Sequence, residues 1–231
     1  MRRLRQLPLI LALVFTCSMS SFVVSALGDE VSTATMATAA KSVYRIYGTQ
    51  MTDESGQAHY ACTGFLIAPA RVLTAAHCVG KEMTVNGVPV DRVIARNEPF
   101  DLALLAVTIS GGVPLAFDVL DPVLHQHLGA IGYAYAWHRI SLMHVRVYHV
   151  NLPPSEGMAP GILVRPGYIG GMSGGPVIDV EGHVVGIIQA SNHDLGYGIG
   201  VTLIRAFLVG VMDELPTPAA PHAVGPLHES S

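Results

Sequence analysis

Charge is scarce in this chain. Asp, Glu, Lys and Arg make up 13% of its 231 residues, and the formal net charge is −4. The 13 basic residues form no patch beyond the extreme amino terminus, which argues against nucleic acid or an anionic membrane as a partner. Tryptophan occurs once and aromatics reach only 6%, yet hydrophobic residues make up 50%, so a core can be filled and disorder of the whole chain is excluded. Three cysteines are too few for a disulfide scaffold. No repeat of solenoid period is present, and the length fits one large domain or two small ones sharing an interface.

The apolar excess is partly explained by the first residues. Arg2, Arg3 and Arg5 precede "LPLILALVF", small polar residues follow, and Val24 and Ala26 have the spacing of a signal-peptidase site. Residues 1–26 therefore read as a signal peptide. The protein is expected to be exported, periplasmic or secreted, with no stable membrane association after cleavage; the alternative is an uncleaved anchor, because mildly apolar residues continue to Leu27. A lipoprotein site at Cys17 is disfavoured by Phe15 and Thr16, where small residues would be wanted. Removal of the signal leaves Cys62 and Cys78. Two thiols in an exported chain favour a bridge over two buried free thiols, on compartment rather than spacing, and closing that loop contributes about 3 kcal/mol by chain entropy.

Residues 27–40, including "DEVSTATMATAA", are small, polar and proline-free and read as a flexible lead-in, so the domain is expected to run from Lys41 to Leu215. Within it lie short β-rich runs separated by turn residues, among them "SVYRIYGT", "ACTGFLIAP", "RVLTAAH", "DLALLAV", "LGAIGYA", "RISLMHVRVYHV", "GPVIDV" and "HVVGIIQAS". Many short strands with little helix predict an all-β sandwich or barrel. "VEGH" at 180–183 joins two runs as a tight hairpin. One helix is predicted over 202–215, with Leu203, Ile204, Phe207, Leu208, Val211, Met212 and Leu215 on one face and Thr202 as its cap. The last segment, 216–231, reads as a disordered Pro-rich tail.

"GYIGGMSGGPVID", residues 167–179, sets five glycines and a proline around Ser173, a shaped loop that presents a hydroxyl. It satisfies the G-x-S-x-G nucleophile elbow, but that elbow turns into a helix and is followed by an acid and a histidine. Here Pro176 and a β-like run follow, and too few residues remain. The other architecture needs a histidine and an aspartate before the serine. "VLTAAHCV" places His77 at the end of an apolar strand, and "FDLALLAV" places Asp101 at the head of another.

Through "CTGFLIAPARVLTAAHC", "DLALL" and "GMSGGPVI", in that order, residues 41–215 resemble the chymotrypsin-fold, trypsin-like serine proteases. The texture after the nucleophile is similar to the protease domain of the compact bacterial and high-temperature-requirement type, without a PDZ domain. The resemblance implies two packed antiparallel six-stranded β-barrels, about 41–115 and 116–205, followed by a C-terminal α-helix. His77 and Asp101 would lie in the first barrel and Ser173 in the second. It further implies an endopeptidase with polypeptide substrates and no cofactor. His77 would be the general base, Asp101 would orient it, and the Gly171 and Ser173 N–H groups would form the oxyanion hole. A substrate pocket would be walled by Gly167, Tyr168, Ile169 and Gly170 and by Gln189, Ala190 and Ser191.

No acidic residue opens the first wall, and Ile188 stands where Glu-directed relatives keep a histidine, so an uncharged, small or medium apolar side chain is expected in the pocket. Met172 stands where relatives made as zymogens carry an aspartate that pairs with a new amino terminus. It is expected to hold the loop by burial instead, with no activating cleavage. Rival readings are a non-catalytic binding module on the same fold and an esterase using the same residues. His125 and His127 could share a strand face as metal ligands, but no third ligand is evident, and no metal is expected. Trp137, with Tyr133 and Tyr135, reads as packing between the barrels, with the lining of a substrate groove as the alternative. Asp179 reads as a turn residue.

Overall fold

The computed structural model describes residues 29–52, 56–136, 139–154, 160–192, 194–209 and 211–212. The expected signal peptide and Pro-rich tail, together with Trp137, His193 and Leu215, lie outside the described residues.

The chain is built from antiparallel strands. The first seven are β1 (Val43–Thr52), β2 (Gly56–Ala68), β3 (Arg71–Thr74), β4 (Lys81–Val85), β5 (Val88–Pro89), β6 (Arg92–Asn97) and β7 (Leu102–Ala106). They form one sheet in the order β5-β4-β1-β2-β3-β7-β6. The next six are β8 (His127–Gly132), β9 (Ser141–Leu152), β10 (Gly161–Arg165), β11 (Pro176–Ile178), β12 (Val184–Asn192) and β13 (Leu195–Gly200), and they close into a barrel, β10-β13-β12-β11-β8-β9. The second six-stranded barrel is thus as expected. The first unit differs in detail: it has seven strands, and β5 and β6 stay at its two edges. β5 is two residues long and ends in Pro89, which has no N–H to offer a further strand.

The side-chain patterns explain the placement of individual strands. β7, "LALLA", is buried at every position, as suits a strand paired on both sides and covered on both faces. In β9, Val145 and Val147 point inward while His144, Arg146 and Tyr148 face out, the period of two expected of a barrel wall. The 180–183 hairpin forms between β11 and β12, with Gly182 at φ 89°.

Two helices are described, α1 (Thr33–Ala39) and α2 (Val201–Leu208). α2 ends earlier than expected, and Thr202 is not its cap. The Thr202 N–H instead donates to Asp121 Oδ1 at 2.9 Å, so the inter-barrel connection supplies the acceptor. α1 corrects the reading of 27–40 as a flexible lead-in. Ser32 caps it, accepting from the Thr35 N–H at 3.0 Å, and Val31 and Met36 flank that cap as a hydrophobic staple. Val31, Met36 and Ala39 are buried in the cluster that joins the two halves, with Phe65 from β2, Phe117 from the connection, Ile178 and Ile187 from the barrel, and Ile204 and Phe207 from α2. Phe65 and Phe117 meet edge to face at 6.4 Å. The Met36 thioether lies so close over Gly129 that a Cβ there would sit 2.9 Å from its sulfur.

Because α1 fills this shared core, Met36→Ala is expected to destabilise the protein by about 2–5 kcal/mol. A chain beginning at Lys41 is expected to lose more. Urea unfolding of a chain beginning at Leu27 and of both variants checks this; equal midpoints would show that α1 contributes nothing to the core.

Candidate active site

Strand pairing brings the first two residues together. Thr74 of β3 lies opposite Ala103 of β7, so the chain leaving β3 runs beside the chain entering β7. β3 ends in a single 3-10 turn, Ala76–Cys78, which carries His77. Asp101 precedes β7 in left-handed backbone, φ 51°, a conformation Asp tolerates better than most side chains. Its carboxylate grips His77 twice: Oδ1 accepts the His77 backbone N–H at 2.9 Å, and Oδ2 lies 2.8 Å from Nδ1. The Asp101 side chain is 12% exposed and that of His77 47%. A buried carboxylate thus sets the proton on Nδ1 and turns Nε2 outward.

Ser173 lies in the loop between β10 and β11. Its carbonyl accepts the Thr63 N–H of β2 at 2.8 Å and sits 3.7 Å from Cys78 Sγ, next to His77 in sequence. The loop reaches across from the barrel and docks beside the His77 turn. Two glycines permit this. Gly171 has φ 92°, and Gly174, at φ 83°, passes so close to β2 that a Cβ would strike the Thr63 carbonyl oxygen. Among the described residues, neither the Gly171 N–H nor the Ser173 N–H has an acceptor. The Gly170 carbonyl is turned away, accepting the Tyr135 N–H at 2.6 Å. Met172 is fully buried among Leu128, Ala130, Ala134, Val177 and Ile188, inside the barrel, so the loop is anchored by an apolar side chain as expected.

The Ser173 hydroxyl donates to the Gln189 carbonyl at 3.1 Å. Gln189 is the extra residue of a β-bulge, since Ile188 faces Gly198 while Ala190 faces Tyr197, and the bulge frees its carbonyl for the serine. Cys62 and Cys78 form a disulfide, which ties β2 to the His77 turn.

Gly167, from the first expected wall, lies against Ser191 of the second. A Cβ on Gly167 would meet Asn192 O at 2.5 Å and Ser191 Oγ at 2.7 Å, so the walls touch at that end. The Tyr168 ring covers Gly196, where a Cβ would sit 2.6 Å from Cδ2. Tyr168 is buried and its hydroxyl has no hydrogen-bond partner, and burial pushes its ionisation well above the usual phenol range. Ile169 packs against the barrel core, Gly170 faces open space, and Ser191 is exposed.

Of the other singled-out residues, Tyr133 and Tyr135 touch the site through their backbone N–H groups, on Thr63 and Gly170, and the histidines and Asp179 lie apart from it. His127 faces Glu30 at 4.0 Å, and exposed His125 sits in left-handed backbone. Tyr133 is half-buried and Tyr135 exposed. Asp179 is a turn residue but a buried one: Oδ1 accepts the His183 N–H at 2.8 Å and Oδ2 lies 3.5 Å from His183 Nδ1. The sequence reading passed over Thr63, whose hydroxyl donates to Gly171 O and accepts from the Tyr133 N–H, both at 2.9 Å. The one signal was a polar residue in the apolar strand "ACTGFLIA".

A double β-unit with a carboxylate-held histidine and a glycine-framed serine is the architecture of a serine hydrolase of the chymotrypsin type. Residues 62–187, more than half of the chain, match the model of the trypsin-like peptidase domain, and the chain belongs to that family. By class it is a serine endopeptidase. No curated protein matches it. Among solved structures it is similar to the active form of the Rv3671c protease from M. tuberculosis, with TM-score 0.66 and 22% identity over 82% of this chain and 91% of that one. The inactive form gives TM-score 0.62 at 22% identity over 79% and 98%. The HtrA-type protease AlgW, solved with a decapeptide, gives 0.66 at 16% identity over 78% and 67%. At these identities the likeness is one of fold.

Asp179 carries a pH prediction. Burial pushes its carboxyl up to about 6, against the opposing pull of the His183 N–H and ring. Its folded value lies above the unfolded one, so its contribution to stability is fully present below about pH 4 and is lost as pH rises through about 6. Asp179→Asn keeps an acceptor for the His183 N–H and removes the titration. Melting temperatures from pH 4 to 7 should therefore fall less in the variant than in the parent; parallel profiles would refute the assignment.

Proposed function

We propose that the protein is an exported endopeptidase that cleaves polypeptides by acyl transfer through Ser173, His77 and Asp101. The observation that carries this reading is the double hold of Asp101 on His77, at the edge where the Ser173 loop docks. Asp101 fixes the tautomer in which Nε2 accepts a proton and stabilises the imidazolium formed as Ser173 attacks. Before attack the hydroxyl turns from the Gln189 carbonyl toward His77. The unsatisfied N–H groups of Gly171 and Ser173 then receive the oxyanion of the tetrahedral intermediate, each such donor being worth about 3 kcal/mol of barrier. His77 returns its proton to the leaving amine, and water repeats the sequence on the acyl-enzyme. The amino-terminal pattern and the Cys62–Cys78 bridge support export to an oxidising compartment, periplasmic or extracellular.

The substrate side chain next to the scissile bond is small. The buried Tyr168 ring, packed over Gly196, narrows the pocket, and the described wall residues offer no charge to greet Arg, Lys or Glu.

Ser173→Ala and His77→Ala are expected to fold normally and lose on the order of 10⁶ in kcat, with the double variant little worse. Asp101→Asn keeps an oxygen for the His77 N–H but offers an amide to Nδ1, and is expected to lose about 10⁴. Phosphonylation of Ser173 and casein digestion read these out; full peptide hydrolysis by Ser173→Ala would overturn the reading. In a peptide library, Ala, Ser or Gly before the cleaved bond should be preferred about tenfold or more over Leu, Phe, Arg or Glu. Tyr168→Ala should admit Leu and Phe, while Tyr168→Phe, which removes only an unpaired hydroxyl, should keep the preference and the stability. An unchanged profile in Tyr168→Ala would show that the ring does not limit the pocket.

A further inference from the structure

Thr63 is fully buried in β2, between Cys62 and Gly64, and every polar atom it has is used. Its N–H donates to the Ser173 carbonyl at 2.8 Å. Its hydroxyl donates to the Gly171 carbonyl and accepts from the Tyr133 N–H, each at 2.9 Å. Its carbonyl accepts the Thr74 hydroxyl at 2.7 Å. Thr63 therefore holds, from behind, the two residues whose N–H groups are assigned to the oxyanion. A carbonyl held in place fixes the ψ of its own residue, and so the direction in which that residue's N–H points. The contact also crosses between the two halves of the molecule. Cys62, bridged to Cys78 beside His77, is its neighbour in sequence, and Thr74 lies three residues before His77.

We infer that Thr63 is the positioning residue of the oxyanion loop. Its hydroxyl holds the Gly171 carbonyl and so limits rotation about the Gly171 Cα, which keeps the adjoining Gly170–Gly171 peptide turned with the Gly171 N–H toward the substrate. The inference rests on the assignment of Gly171 and Ser173 given above. The Met172 side chain supplies only apolar contacts, and the direction of the 171–172 peptide is set by hydrogen bonds at its two ends, from the Met172 N–H to the Ile169 carbonyl at 3.1 Å and from the Thr63 hydroxyl to the Gly171 carbonyl. Without that hydroxyl, the Gly171 carbonyl and the Tyr133 N–H are left unpaired in partly buried surroundings. The simplest relief is a rotation about the Gly171 Cα bonds, which also tilts the adjoining 170–171 peptide that carries the oxyanion donor.

Thr63→Val preserves shape and removes the hydroxyl; Thr63→Ser preserves the hydroxyl and removes a methyl. Thr63→Val is expected to lower kcat about 10- to 100-fold with KM within about threefold, and Thr63→Ser to stay within about threefold of the parent. A peptide boronic acid, which mimics the tetrahedral intermediate, should weaken in step with kcat/KM, while a non-covalent product peptide should bind unchanged. Amide hydrogen exchange over 171–175, which needs no turnover, should speed up in Thr63→Val and not in Thr63→Ser. Where Thr63→Val does not fold, Thr63→Ala replaces it in the comparison with Thr63→Ser.

The inference is overturned if a folded variant without the hydroxyl keeps kcat/KM and exchange near the parent values, or if Thr63→Ser loses as much as Thr63→Val. A parent protein that neither reacts with a phosphonylating reagent nor cuts peptides would instead strike at the protease reading. The exchange comparison would still decide the role of Thr63 in shaping the loop.

Discussion

The hydrogen bond from the Thr63 N–H to the Ser173 carbonyl crosses from the amino-terminal sheet to the barrel, and the geometry of the site depends on that crossing. His77 and Asp101 belong to one half and Ser173 to the other. Packing alone sets the distance between two such halves but specifies their register weakly, because apolar contacts have little direction. The directional part comes from the hydrogen bonds that Thr63 makes with Ser173, Gly171 and Tyr133 of the other half, and Thr63 is held in its own half by Thr74 and by the neighbouring Cys62–Cys78 bridge. The apolar part comes from one cluster that draws residues from both halves, the connection and both helices. Loss of the cluster would separate the halves; loss of the hydrogen bonds would leave them packed but out of alignment.

His77, Asp101 and Ser173 were legible in the sequence because each sits where ordinary strand chemistry is broken. Ser173 is surrounded by glycines that only a tight backbone needs, and the structure puts two of those glycines at positive φ. Asp101 interrupts an apolar run at its head and has left-handed backbone there. The barrel was legible for a simpler reason: β9 alternates cleanly, and the β11–β12 hairpin has glycine at its turn.

What escaped the reading has a common physical character. α1 was taken for a lead-in because "STATMATAA" is polar in composition, although Val31 and Met36 at staple spacing around Ser32 are enough to bury one face. The acceptor for the α2 N-terminus is Asp121, some eighty residues away in sequence, and no local pattern announces a cap from that distance. Thr63 is in sequence an ordinary β-branched strand residue, and its partners come from the loop of the other half. Tyr168 was read as a wall residue, and its ring is buried over Gly196 of β13, where the absent Cβ leaves room for it. In each case the missing information was a partner distant in the chain.

These observations bear on how the oxyanion loop stays in shape without a charge. An ion pair at position 172 would require two charges to leave water together, a desolvation cost that their attraction offsets only when the geometry is good. Here Met172 is buried among aliphatic side chains, and the flanking carbonyls are held by neutral donors, Thr63 on one side of the loop and Tyr135 on Gly170. Such a hold requires no free amino group, so the amino-terminal segment is released for a different task. It carries out that task on the inter-barrel core: α1 packs Val31, Met36 and Ala39 into the cluster that joins the two halves. The amino-terminal segment therefore supports the site through burial at a distance, by keeping the two halves together, and the loop itself is set by Thr63 and Met172.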